Sequence, residues 1–193
     1  MILGIDISTS ITGFAIVDDG QLLHYSSIDL RKHKGPFAKA NILKEYIEDF
    51  FEAYQCDNES GWGESNYPIK HIYIEQPLHM FMRGRSSAKT LSTLMTFNGI
   101  VSWIVYELFE IEPQYIAASS ARKHCGIKVK RGDKAKEVVL KYLCENETAF
   151  HVEYTKHGNP KPESYDHADA IVVAKAGDII EKNLELAATQ TTT

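Results

Sequence analysis

The 193-residue sequence has only three cysteines, Cys56, Cys125 and Cys144, an odd count with no Cys-x-x-Cys spacing. That argues against a disulfide framework and against a thiolate zinc site, and it fits a reducing, intracellular setting. No uncharged apolar run approaches the ~18 residues of a membrane-spanning helix, and no basic stretch leading into an apolar one opens the chain, so neither export nor membrane insertion is expected. Internal repeats are absent, as is any linker long enough to divide the chain. What is present is apolar material for one real core: 44% hydrophobic residues, with ten Tyr and eight Phe. The expectation is a single soluble domain over residues 1–182, with 183–193, ending in "AATQTTT", as a disordered tail.

A net charge of −5 speaks against a polyanionic partner only as an average. Residues 122–136, "RKHCGIKVKRGDKAK", hold seven Lys/Arg against one acid, and 29–44 hold five against Asp29. Arg83, Arg85 and Lys89 add three more between 79 and 89, whereas 45–66 carry seven acids and no base. Segregation of this kind suits a protein that meets nucleic acid on one side and water on the other. Any single patch, taken alone, reads equally well as an ordinary solvated face.

Three short strands are expected at 2–7, 13–18 and 21–29, with Asp18-Asp19-Gly20 as a tight hairpin turn. Apolar residues from Phe37 to Tyr54 recur every three or four positions, which predicts an amphipathic helix; "DNESGWGESNYP", 57–68, reads as an exposed loop. "KHIYIEQP" then returns as a buried strand that Pro77 ends. A helix from about Ser86 to Phe109, N-capped by Ser86 or Ser87, is apolar around most of its circumference. Such a helix is either central or buried against a second subunit. A fifth strand at 113–119, a helix at 132–145 and a last helix from Tyr165 to about Lys182 complete the reading. Three hairpin-type strands followed by alternating helices and strands imply a mixed sheet, antiparallel then parallel, flanked by helices.

Four acids stand where chemistry would want them. Asp6 ends the first strand inside "GIDISTSITG", and Glu75 ends the fourth. Asp166 and Asp169, in "SYDHADAIVVAKAG", are three apart at a helix start and share a face. His167 lies about 100° round the helix from Asp166 and reads as a surface or supporting residue. An aspartate pair at this spacing is commonly a helix cap, and a strand-end glutamate is commonly an ion-pair partner. The joint placement on three elements is what points further. Crowded carboxylates need a cation, and hard oxygen ligands select Mg²⁺ or Mn²⁺. The cluster suits two-metal phosphodiester hydrolysis, with Asp6 bridging the ions.

Taken in order, "ILGIDISTSITGFAIVD", "IYIEQP" with its basic loop and long apolar helix, and "YDHADAIVVAKAG" resemble the RuvC-type Holliday-junction resolvases of the RNase H-like nuclease superfamily. The resemblance extends to about residue 177 and implies an RNase H-like α/β fold with a five-stranded mixed sheet. It implies Asp6, Glu75, Asp166 and Asp169 as catalytic acids binding two Mg²⁺ per site, with Mn²⁺ able to substitute. It implies DNA contacts from Lys134 or Lys136, with Lys128, Lys130 and Arg131 as further candidates, beside Arg83, Arg85 and Lys89. It implies a homodimer formed through the helix around 86–109, nicking paired strands of a four-way DNA junction in recombination and repair. The expected location is cytoplasmic, or the host cytoplasm for a viral or phage-type member. Pro77, the run "LHMFMRGR" and the 57–68 insert depart from the family pattern, so the loop that reads bases is expected to differ here.

Two other classes compete. "GIDISTSITG" also resembles the first phosphate loop of actin-like and sugar-kinase-like nucleotide-binding proteins, which use a second domain and a Gly-rich adenosine motif not found in this sequence. An RNase H-like enzyme acting on RNA–DNA hybrids would share the same acids. The long apolar helix favours the resolvase, and the four acids speak against an inactive binding module.

Overall fold

The computed structural model describes residues 1–55, 68–77 and 88–190. Five strands, β1 (Ile2–Asp6), β2 (Ile11–Asp18), β3 (Gln21–Asp29), β4 (His71–Glu75) and β5 (Gln114–Ile116), form one sheet in the order β3-β2-β1-β4-β5. The first three are antiparallel neighbours, and β4 and β5 add in parallel, as the strand-then-crossover pattern predicts. Asp19 and Gly20 both take positive φ, 46° and 78°, which is the backbone that a two-residue hairpin requires.

Helices cover both faces. The side chains of Leu3, Ile5, Phe14, Ile16, Ile72 and Ile74 form one core with α1 (Pro36–Gln55) and α2 (Ala88–Phe109). Those of Ile2, Ala15, Val17, Tyr73 and Ile116 form a second core with α3 (Ala118–His124), α4 (Ala135–Asn146) and α5 (Pro162–Gln190). Burial on both faces explains why β1 and β2 read as almost continuous apolar runs instead of alternating ones.

α5 lies unusually close to the sheet. A Cβ on Gly13 would sit 2.3 Å from the Asp166 carbonyl oxygen, and one on Gly4 would sit 2.4 Å from the Ala174 nitrogen. On the helix side, a Cβ on Gly177 would meet the Tyr73 ring at 2.5 Å. Glycine at these three positions therefore sets the depth of the helix. At its far end α5 is tied to β4 and β5 through Glu181. That carboxylate accepts from Tyr73 Oη at 2.7 Å and Gln114 Nε2 at 3.1 Å, and lies 3.2 Å from His71 Nδ1.

Several boundaries differ from the sequence expectation: β2 begins at Ile11 instead of 13, and α4 at Ala135 instead of 132. The fifth strand stops at Ile116 instead of 119, and residues 118–124 form the short helix α3, which the sequence pattern did not announce. α5 begins at Pro162 and runs to Gln190, so 183–190, expected as disordered tail, are helical. Leu184, Glu185, Leu186, Ala187 and Ala188, all good helix formers, suit those exposed turns. Residues 57–67 of the loop expected at 57–68, the caps Ser86 and Ser87, and Arg83 and Arg85 lie outside the described residues.

Candidate active site

Register places the first two acids. β1 and β4 pair in parallel from Ile2 with His71 to Ile5 with Ile74, and one further step sets Asp6 beside Glu75. Alternation along the strands turns Ile2, Gly4 and Asp6 toward the α5 face, and Tyr73 and Glu75 likewise. Asp6 also pairs with Gly13 on β2, the residue on which the Asp166 backbone rests. The first turns of α5 are thereby pressed against the two strand ends, and Asp166 and Asp169 face Asp6 and Glu75.

Among the described residues, two cations attend the four acids. Lys136, in the first turn of α4, reaches across to α5 with Nζ 3.3 Å from Asp166 Oδ1 and 3.2 Å from Asp169 Oδ2. Arg122, on α3, is partly buried, and its charge acts on Glu75 and Asp169. Sequence reasoning placed Arg122 in a basic run but gave it no role, because its position depends on α3.

The electrostatics are those of a charge-crowded site. Burial, then the charges of Glu75 and Asp169, hold the Asp6 carboxyl well above the usual carboxylate range. Burial, with Asp169 next, pushes Glu75 up to about 7. Asp166 and Asp169 are raised by burial, although Lys136 opposes the shift in both. Burial alone would lower the Lys136 ammonium; the carboxylates of Asp169, Asp166 and Asp6 outweigh it and hold the ammonium above an ordinary lysine.

The donor set fits a hard divalent cation: four carboxylates from three elements, with negative charge in excess of what Lys136 and Arg122 supply. As the side chains stand, no group of three or more His, Cys, Asp or Glu among the described residues is gathered tightly enough to close on one ion. The acids are instead spread about Lys136, which pairs with two of them.

The other sequence candidates divide. Lys128, Lys130, Arg131 and Lys134 are exposed on the segment leading into α4, and Lys134 pairs with Glu137 at 2.8 Å instead of with the acids. Lys128 joins Ser119, Arg122 and Lys123 in lining a concave basic cleft of about 370 Å³. Lys89 is exposed at the start of α2. His167 turns away from the acids, with Nε2 2.8 Å from Ser27 Oγ and its ring edge-on to Tyr25. The hydroxyls of "GIDISTSITG" organise the turn after Asp6: Thr12 Oγ1 donates to the Ser8 carbonyl at 2.9 Å, and the Ser10 amide donates to Ser8 Oγ at 3.2 Å. Cys125 and Cys144 are free thiols.

No family model and no curated relative matches the sequence. Solved structures do. The chain is similar to Thermus thermophilus RuvC in complex with a Holliday junction substrate, with a TM-score of 0.60 and 13% identity over 94% of each chain. Another T. thermophilus RuvC structure gives 0.58 at 13% identity, over 94% of this chain and 95% of that one. The yeast mitochondrial Holliday junction resolvase Ydc2 gives 0.56 at 14% identity, over 95% and 80%. At such identities the likeness is one of fold, and the fold is that of the RuvC-type resolvases.

Proposed function

We propose that the protein is a metal-dependent, structure-selective endonuclease that nicks four-way and related branched DNA junctions, working as a homodimer. The observation that carries this reading is the meeting of Asp6 and Glu75, fixed side by side by strand register, with Asp166 and Asp169 of a helix seated on glycine. The fold shared with a junction-bound resolvase supports the substrate.

In this reading Asp6, Glu75, Asp166 and Asp169 hold two Mg²⁺ ions, which when bound activate water and stabilise the leaving oxygen. The protein's own part is positional. Gly13 and Gly4 let α5 bring its acids to the strand ends, so the four carboxylates share one end of the sheet before DNA arrives. Arg122 and the basic cleft beside it receive phosphates that flank the scissile bond, and Lys128, Lys130, Arg131 and Lys134 extend that positive track.

The dimer forms through α2. One face of this helix packs into the core with Phe97, Val101, Ile104, Val105 and Phe109. The opposite face is a second stripe, Met95, Gly99, Trp103 and Tyr106, whose large members are 43%, 58% and 51% exposed. Large apolar side chains at this spacing on the outer face suit a partner helix. An isologous pairing would present two active sites to two strands of a junction.

The test is cleavage of a synthetic four-way junction in Mg²⁺. Paired nicks are expected from the native protein. Asp6→Asn should lower the rate at least about a thousandfold while leaving junction binding in place, because it removes a carboxylate and no basic contact. Cleavage confined to RNA–DNA hybrids, with junctions left intact, would reject the proposed substrate.

A further inference from the structure

Lys136 was expected among the DNA contacts. In the DNA-free structure its Nζ lies between two candidate metal ligands, 3.3 Å from Asp166 and 3.2 Å from Asp169, on a side chain that is 57% exposed. Lys134, two residues earlier, pairs with its own helix neighbour Glu137. The ammonium thus does for these two carboxylates what a cation would do, and it does so from a flexible stem that can swing away.

We propose that Lys136 is an exchangeable internal counter-ion: it neutralises Asp166 and Asp169 until a divalent cation takes them, and the displaced ammonium then moves to a phosphate of the bound DNA. Three observations favour exchange over a permanent ion pair. Asp166 and Asp169 come from the same face of α5, so one ion can use both where the ammonium now sits. The lysine enters from α4, a different element, so its departure disturbs neither carboxylate's backbone. Its side chain is also exposed, as are Lys128, Lys130 and Arg131 on the segment that leads into the same helix, where a phosphate track would run. Metal binding and DNA binding are then coupled: the ion costs the site an ammonium, and the DNA regains it.

The inference rests on the metal-dependent reading above, and the two can fail separately. Mn²⁺ titrated calorimetrically into the DNA-free protein at pH 7.5 gives the first readout. Lys136→Met should bind Mn²⁺ about fivefold more tightly than the native protein, because no ammonium has to be displaced. Lys136→Arg should stay near the native value. Lys141→Met, which removes a lysine paired with Glu145 on the same helix, should shift affinity less than twofold. The second readout is the ¹⁵N resonance of the Lys136 ammonium, expected to be slow-exchanging in EDTA and to lose that protection as Mg²⁺ saturates. Unchanged or weaker Mn²⁺ affinity in Lys136→Met, or an ammonium whose protection survives saturating Mg²⁺, overturns the exchange and leaves the nuclease reading standing. A native protein that binds no divalent ion overturns both.

Discussion

Replacing Glu75 by glutamine should make the protein more stable and inactive at once. In the fold, Glu75 is pushed up to about 7 from an ordinary 4.5, first by burial and next by the charge of Asp169. The folded protein therefore holds this proton more tightly than the unfolded chain. Stability is fullest below about pH 4.5 and declines as pH rises toward 7, because the folded state alone resists the charge. A difference of about 2.5 units corresponds to about 3.4 kcal/mol. Allowing for the water that still reaches a partly exposed carboxylate leaves about 2–3 kcal/mol. Glutamine keeps the shape without the charge. At pH 8 in EDTA, Glu75→Gln should raise the urea-derived stability by that amount and Tm by roughly 5–10 °C, given roughly 2–4 °C per kcal/mol for a domain of this size. At pH 4 the two proteins should coincide. Mg²⁺ should restore part of the difference to the native protein and add little to the variant. Parallel pH–stability curves for the two proteins between pH 4 and 8 would refute the reasoning, since they would mean that the charge of Glu75 costs the fold nothing.

Gly13→Ala should lose about 2–4 kcal/mol and most of its nicking activity, because its Cβ would strike the Asp166 carbonyl at 2.3 Å; thermal melts and junction assays would check this. The double substitution Trp103→Glu with Tyr106→Glu should convert a dimer into a folded monomer of 21.8 kDa in sizing runs at micromolar concentration. Lys128→Glu with Lys130→Glu should weaken DNA binding across all sequences and lower the slope of log affinity against log salt by about 2; a slope equal to the native one would make these lysines an ordinary solvated face.

Local patterns carried most of the architecture. Runs such as "ILGIDI" and "ITGFAIVD", with Asp19-Gly20 between strands, specify strands and a hairpin from within ten residues. The spacing of apolar residues from Phe37 to Tyr54 specifies α1 in the same way. Asp6 and Glu75 were legible as candidates because each ends a strand, and Asp166 and Asp169 because they stand three apart near the start of a helix. α3 was not, since a seven-residue helix that buries only Ala121 leaves no periodicity to read. Arg122 was hidden with it. The pairing of Lys136 with α5 depends on how α4 docks, a contact across 30 residues that no local pattern encodes. The three close-packed glycines were visible as letters, but their common contact with α5 or its bed appears only once helix and sheet are assembled.

The tie at Glu181 makes α5 a beam with its chemistry at one end. Fifteen residues separate Asp166 from Glu181, about 22 Å along the axis. A tilt of about 3° over that length carries the acids about 1 Å, an error that can cost about a hundredfold in rate. His71, Tyr73 and Gln114, which hold the beam's far end, touch no reacting group. On the proposed nuclease reading they are its alignment points, and substitutions there are expected to lower turnover before they lower stability.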